Sequence, residues 1–101
     1  MEKKLNINSI IKSKYADDSR KATIVLEKAK DLIDEGCSRL VIDFLNLELV
    51  NSVFLQDSIG RIILLDQVIS KSVSVRIINF EEACEYLLRN CIELALRRNK
   101  R

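Results

Sequence analysis

The sequence predicts a single α/β domain over residues 1–101, built on a largely parallel or mixed sheet of four, or five, strands with about three helices. Three observations predict it. Short β-branched apolar runs alternate with segments whose apolar residues recur at three and four positions, the pattern of βα units joined by right-handed crossovers. A length of 101 residues suffices for one core and is too short for two. Proline is absent and glycine occurs only at Gly36 and Gly60, so the chain carries no linker, repeat or low-complexity tract.

The first strand comes from Leu5 and Ile7, which alternate with Lys4, Asn6 and Asn8; Ile10 and Ile11 continue it or begin a second short strand. This strand is the candidate for an antiparallel edge. A helix then runs over about residues 19–35, with Ala22, Val25, Leu26, Ala29, Leu32 and Ile33 on one stripe, Asp17, Asp18 or Ser19 as its cap and Gly36 as its left-handed stop. Residues 39–44 suit a central strand covered on both faces. Asp43 interrupts that strand near its end and is expected to accept hydrogen bonds from the loop over residues 45–50.

The next helix is long, about residues 52–69, and precedes a third strand over 73–78 with Val73, Val75 and Ile77 on one side. A last helix opens at Asn79 with Glu82 as its capping-box partner, and carries Phe80, Cys84, Leu87, Leu88, Cys91 and Ala95 along one stripe. Cys84 and Cys91, seven residues apart, stand about 10.5 Å from each other on a helix, beyond disulfide reach. They read as small core hydrophobes, and Cys37 has no partner motif.

Composition narrows the function classes. The chain is 48% apolar and 32% charged, which excludes extended disorder. Its 17 basic and 15 acidic residues leave a formal net charge of +2, so no field of one sign favours nucleic acid or membrane. The one basic cluster, Arg97, Arg98, Lys100 and Arg101, closes the chain, where cations complement a helix dipole. Neither a signal peptide nor a membrane-spanning run is expected, and three cysteines without a close Cys-x-x-Cys pair point to a reducing compartment, the cytoplasm.

An enzyme is not expected either. Histidine is absent, which removes the commonest general base and metal ligand, and no Gly-rich phosphate loop follows any strand. Ser9, Ser13, Ser19 and Ser58 lack an activating base. Glu81 and Glu82 fall in the first turn of the last helix, where negative charge stabilises the dipole. The reading therefore assigns no catalytic residue, no cofactor and no metal.

The most distinctive stretch is LVIDFLNLELVNSVFLQDSIGRIILL, residues 40–65, a buried strand leading through a short apolar loop directly into a helix. It resembles the STAS domain of sulphate transporters and bacterial anti-sigma-factor antagonists, where a strand ending in Asp leads to Asp-Ser-Ser-Gly at a helix start. A closer resemblance is to the STAS-like family of unknown function. Ser19 with Arg20, Asp43 with Phe44, Ser52 with Phe54, and Asn79 occupy the places of its short motifs, over roughly residues 8–98. The resemblance implies a regulatory protein-interaction module whose partner is a histidine-kinase-like ATPase, with Ser52 as phosphoacceptor. Asn51, Val53 and Phe54 depart from the antagonists' motif, so the surface that a kinase reads is altered.

Independently of any family, a helical wheel places Leu55, Ile59, Ile62 and Ile69 inward on the helix over residues 52–69 and Val53, Leu64 and Val68 opposite them. Those three share the outer face with Asp57, Gly60 and Arg61, a mixed surface of the kind that protein interfaces show. Asn51, Ser52 and this face are the expected partner-binding residues, with Gly60 admitting a close backbone approach. Asp66 falls near the inward stripe, in conflict with it. Alternatives are a self-associating homodimer through the same face and a nucleic-acid contact through the basic C-terminal residues.

Overall fold

Strand pairing sets the architecture. The computed structural model describes residues 1–99, the side chain of Asn99 excepted. In chain order they form β1 (Glu2–Asn6), α1 (Ile7–Ile11), β2 (Tyr15–Ala16), α2 (Ser19–Asp34), β3 (Arg39–Asp43), β4 (Leu49–Val50), α3 (Ser52–Asp57), α4 (Ile59–Ile62), α5 (Asp66–Ile69), β5 (Ser74–Ile78), a 3-10 turn (Glu82–Cys84) and α6 (Glu85–Asn99). β1, β3 and β5 make a three-stranded sheet in that spatial order, and β2 pairs with β4 in a separate two-stranded one. The expected single sheet of four or five strands is thus two sheets, and β1 is a parallel edge where an antiparallel one was a candidate.

The register sorts the residues onto two faces. Leu5 lies beside Ile42 and Ile77, whereas Lys4 lies beside Val41 and Arg76. The first face is the core: α2 packs on β1 and β3, α3 and α4 pack on α2, and α6 packs on α3 and α4. Leu5, Leu40 and Ile42 are buried there with Val25, Phe54, Leu55, Ile59 and Ile62.

Local sequence explains α1, which replaces the expected continuation of the first strand. Ile7, Ile10 and Ile11 recur at three and four residues, so they share a helical face; Ile7 is buried and the other two pack partly against the core. Asn6 caps this turn by accepting from the Ser9 amide at 2.9 Å, and Lys12, at φ 55°, stops it. α2 follows its expectation, with Asp18 accepting from the Lys21 amide at 2.8 Å and Gly36 at φ 102° beyond its end.

The expected helix over residues 52–69 is broken twice. Ser58 is buried at φ −110° and ψ −80°, and its hydroxyl donates to the Phe54 carbonyl at 2.7 Å, a local bond that competes with a straight helix. Leu65 is extended, and α5 restarts after it with a new rotational phase. Leu55, Ile59 and Ile62 keep their inward places, but Ile69 turns out to 46% exposure and Val68 packs partly against the core instead. The restart also removes the conflict at Asp66, which is exposed in the first turn of α5.

The last helix also begins late. Asn79 is left-handed at φ 57° and caps nothing; α6 starts at Glu85 after the 3-10 turn, whose preceding residue, Glu81, makes no side-chain cap. Cys91 and Ala95 are buried on α6, and Phe80, Leu87 and Leu88 pack partly against the core.

Candidate functional site

The carboxyl ends of β3 and β5 gather the polar groups of this fold. Asp43, the last residue of β3, is 2% exposed. Its Oδ1 accepts from Asn79 Nδ2 at 2.8 Å and from the Leu45 amide at 3.0 Å; its Oδ2 accepts from Asn6 Nδ2 at 3.3 Å and pairs with Lys4 Nζ at 3.3 Å. Burial pushes the carboxyl's pKa up, but the bonds from Asn79, the Leu45 amide, Asn6 and Lys4 outweigh it and hold the group below its ordinary value. Such a carboxylate is saturated with donors. It ties β1 and β3 to Asn79, the residue that follows β5.

The loop bond to Asp43 was legible in the sequence; the other three partners were not singled out. Their signal is parity, since Lys4 and Asn6 sit two apart on β1 and fall on the face that carries Asp43. The left-handed backbone at Asn79 goes with an amide aimed back at that carboxylate.

Beside this latch opens a cleft of about 120 Å³ between the loop after β3 and the segment that enters α6. Phe44 and Phe80, edge to face with ring centroids 4.8 Å apart, line it together with Leu47, Leu49, Glu48 and Glu81. Large apolar side chains stand on the same part of the chain: Leu45 is 49% exposed, Leu49 47% and Val53 50%, and Tyr15, across from Leu49 in the β2–β4 pairing, is 49%. Sequence reasoning missed Tyr15, Leu45 and Leu49. The alternating Leu45, Leu47 and Leu49 in a segment that is otherwise loop was the available signal.

The expected partner-binding residues do not share one face. Asn51 caps α3 by accepting from the Phe54 amide at 2.9 Å and donates to the Asp17 carbonyl at 2.9 Å, and Ser52 and Val53 stand exposed next to it. Asp57, Gly60, Arg61 and Leu64 line a different, shallow groove against Leu94 and Arg98 of α6. Val68 is half-buried against the core. Gly60 is buried: a Cβ there would stand 3.4 Å from Cys91 Sγ and 3.9 Å from Ala95 Cβ. The close approach that this glycine permits is made in this structure by the chain's own α6.

Burial pushes the Cys91 thiol's pKa up, although a backbone bond from Gly60 opposes the shift. Cys37, Cys84 and Cys91 are free thiols. Among the described residues, no group of three or more Cys, Asp or Glu gathers as a metal site. Arg97 and Arg98 are exposed in the last turn of α6, and Lys100 and Arg101 lie outside the described residues. No helix of the described residues is long and apolar enough to cross a membrane. Comparison with protein-family models, with curated proteins and with solved structures returns no match to this chain, so its likeness to STAS-like domains rests on the short motifs alone.

Proposed function

We propose that this chain is a non-enzymatic, STAS-like interaction module that docks a regulatory protein at the end of the sheet where α3 begins. The observation that carries the reading is the half-exposed set Tyr15, Leu45, Leu49 and Val53, of which Leu49 lines a cleft that also holds Phe44, Leu47 and Phe80. Scattered single apolar residues are ordinary on a surface, but a group beside a cleft forms the core of an interface. Phe44, Leu47 and Phe80 give such a surface a depression into which one partner side chain can anchor.

The partner class that the motif resemblance implies is a histidine-kinase-like ATPase, and Ser52 stands exposed between Leu49 and Val53 as its phosphoacceptor. The short α3, Ser52–Asp57, has a small dipole, and Asn51 already satisfies the Phe54 amide. A phosphate there acts outward on the partner, adding nearly two negative charges to the docking surface while the core stays as it is.

The test is recovery of the affinity-tagged chain from its native host with a stoichiometric partner, in parallel with a Leu49→Asp, Val53→Asp double variant. The double variant is expected to lose the partner and keep its circular dichroism and melting temperature. Retention of the partner by the folded variant moves the interface elsewhere. A chain that elutes alone and scatters light as a monomer at high concentration defeats the reading.

A further inference from the structure

The cleft at the strand ends is lined by apolar and acidic side chains together. Glu48 and Glu81 stand in its lining, and Glu82 and Glu85 continue the run of exposed carboxylates into the start of α6. Lys14 meets Glu48 at 3.7 Å; among the described residues, none of the cations pairs with Glu81, Glu82 or Glu85. Resting on the reading of this end as a docking surface, we propose that its occupant is a cationic amphipathic segment of another protein. One large apolar side chain of that segment enters the cleft, and flanking Lys or Arg residues meet Glu81 and Glu82.

Size and charge decide between occupants. A cleft of about 120 Å³ is small beside the ~300–1,000 Å³ typical of small-molecule pockets, and it suits one anchoring side chain. The apolar anchor and the burial of Leu45, Leu49 and Val53 supply affinity, while unpaired carboxylates at the rim select the sign of the partner and speed encounter. An acidic segment would set its charges against Glu81 and Glu82. Other surfaces of the molecule lack this combination: the groove along α6 mixes Asp57 with Arg61 and Arg98, and the solvent-facing side of the sheet carries Lys4, Arg39 and Arg76.

Synthetic probes test it on the full chain by fluorescence anisotropy: a helix-forming peptide with Leu on one face and Lys on the other, its Leu/Glu counterpart, and a Ser/Lys peptide without the apolar face. The Leu/Lys peptide is expected to bind at least about tenfold tighter than either of the others. Glu81→Lys with Glu82→Lys is expected to remove that preference. Asp31→Lys with Asp34→Lys, the same change of net charge on exposed positions of α2, is expected to keep it. Equal affinity for both peptide charges, or equal losses in the two double variants, overturns the proposal, with circular dichroism confirming that each variant is folded.

The native partner separates this inference from the reading beneath it. Loss of the partner from the Leu49→Asp, Val53→Asp variant together with its retention by the Glu81→Lys, Glu82→Lys variant leaves the docking surface standing and defeats the cationic assignment. Retention by both folded variants defeats the two together.

Discussion

The two faces of the β1-β3-β5 sheet solve the problem of a parallel sheet in different ways. On one, Leu5, Leu40 and Ile42 are buried beneath helices. On the other, Glu2, Lys4, Arg39, Ser74 and Arg76 stand exposed, and among the described residues no helix covers them. The reason is topological. The sheet grows in one direction, β1 to β3 to β5, and right-handed crossovers that advance the same way put their helices on the same side. Parallel sheets usually have both faces covered.

The uncovered face is stabilised by its own side chains. Val41 is only 6% exposed although it points away from the helices; Lys4 and Arg76 flank it in register, and long side chains so placed can shield a strand with their aliphatic stems. Asp43 is closed off by its ring of donors, and Glu2 meets Arg39 at 3.9 Å. The expectation of a central strand covered on both sides thus holds for solvent exclusion and fails for the second layer. One face is covered by helices, the other carries charged side chains that stand in water.

The largest effect expected from this difference is in core truncation. Ile42→Ala removes a fully buried side chain from the helix-covered face and is expected to lower unfolding free energy by about 2–5 kcal/mol in urea titration. Val41→Ala, one residue away, is expected to cost about 1 kcal/mol or less, since the flexible arms over it can collapse into the space. Equal costs at the two positions would show that the second face has a rigid cover.

Asp43 sharpens the comparison next, because among the described residues it is the one buried charge on the uncovered face. Asp43→Ala leaves the Asn79 amide and the Leu45 N–H without their acceptor and is expected to cost about 2–3 kcal/mol. Its pH dependence has a definite sign. The folded-state pKa lies below the unfolded value of about 3.9, so the carboxylate's contribution is complete above that value and is lost as pH falls through the folded one. Urea midpoints between pH 6 and pH 2 should fall more steeply for the native chain than for Asp43→Asn.

How much of this was legible depends on whether an element is governed by local pattern or by tertiary contact. α2 could be read from residue spacing, cap and stop because all of its determinants lie within the segment. The breaks at Ser58 and Leu65 could not: each residue of 52–69 is compatible with a helix, and packing between α2 and α6 is met better by short pieces in different phases. The docking face drawn from one continuous wheel therefore dispersed, Val53 staying outside while Gly60 went under α6. The apolar surface at Tyr15, Leu45 and Leu49 escaped notice because its members come from two segments, far apart in the chain, that the short β2–β4 pairing brings together.

Gly60 tests the helical layer on the covered side, at an effect smaller than core truncation. An added methyl meets Cys91 Sγ at 3.4 Å, ordinary contact, and gains helix propensity, so Gly60→Ala is expected to be nearly neutral. Gly60→Leu adds three carbons beyond that methyl against Cys91 and Ala95 and is expected to cost about 1–3 kcal/mol, read as a lower urea midpoint. A neutral Gly60→Leu would show that α6 is loosely held against α4.

The smallest effect belongs to the exposed charges of the uncovered face, and their smallness is informative. Arg39 pairs with Glu2 at the limit of ion-pair distance, with both side chains more than half exposed, so Arg39→Met is expected to change stability by less than about 0.5 kcal/mol. Methionine keeps an apolar stem over the sheet and removes only the charge. If the stem is what shields the strand, Arg76→Met beside Val41 should be equally silent, whereas Arg76→Gly should cost more and increase the penalty of Val41→Ala in a double-mutant cycle. Strict additivity of those two changes would mean that Val41 is buried by strand twist alone, and that the charged arms serve solubility without insulating the sheet.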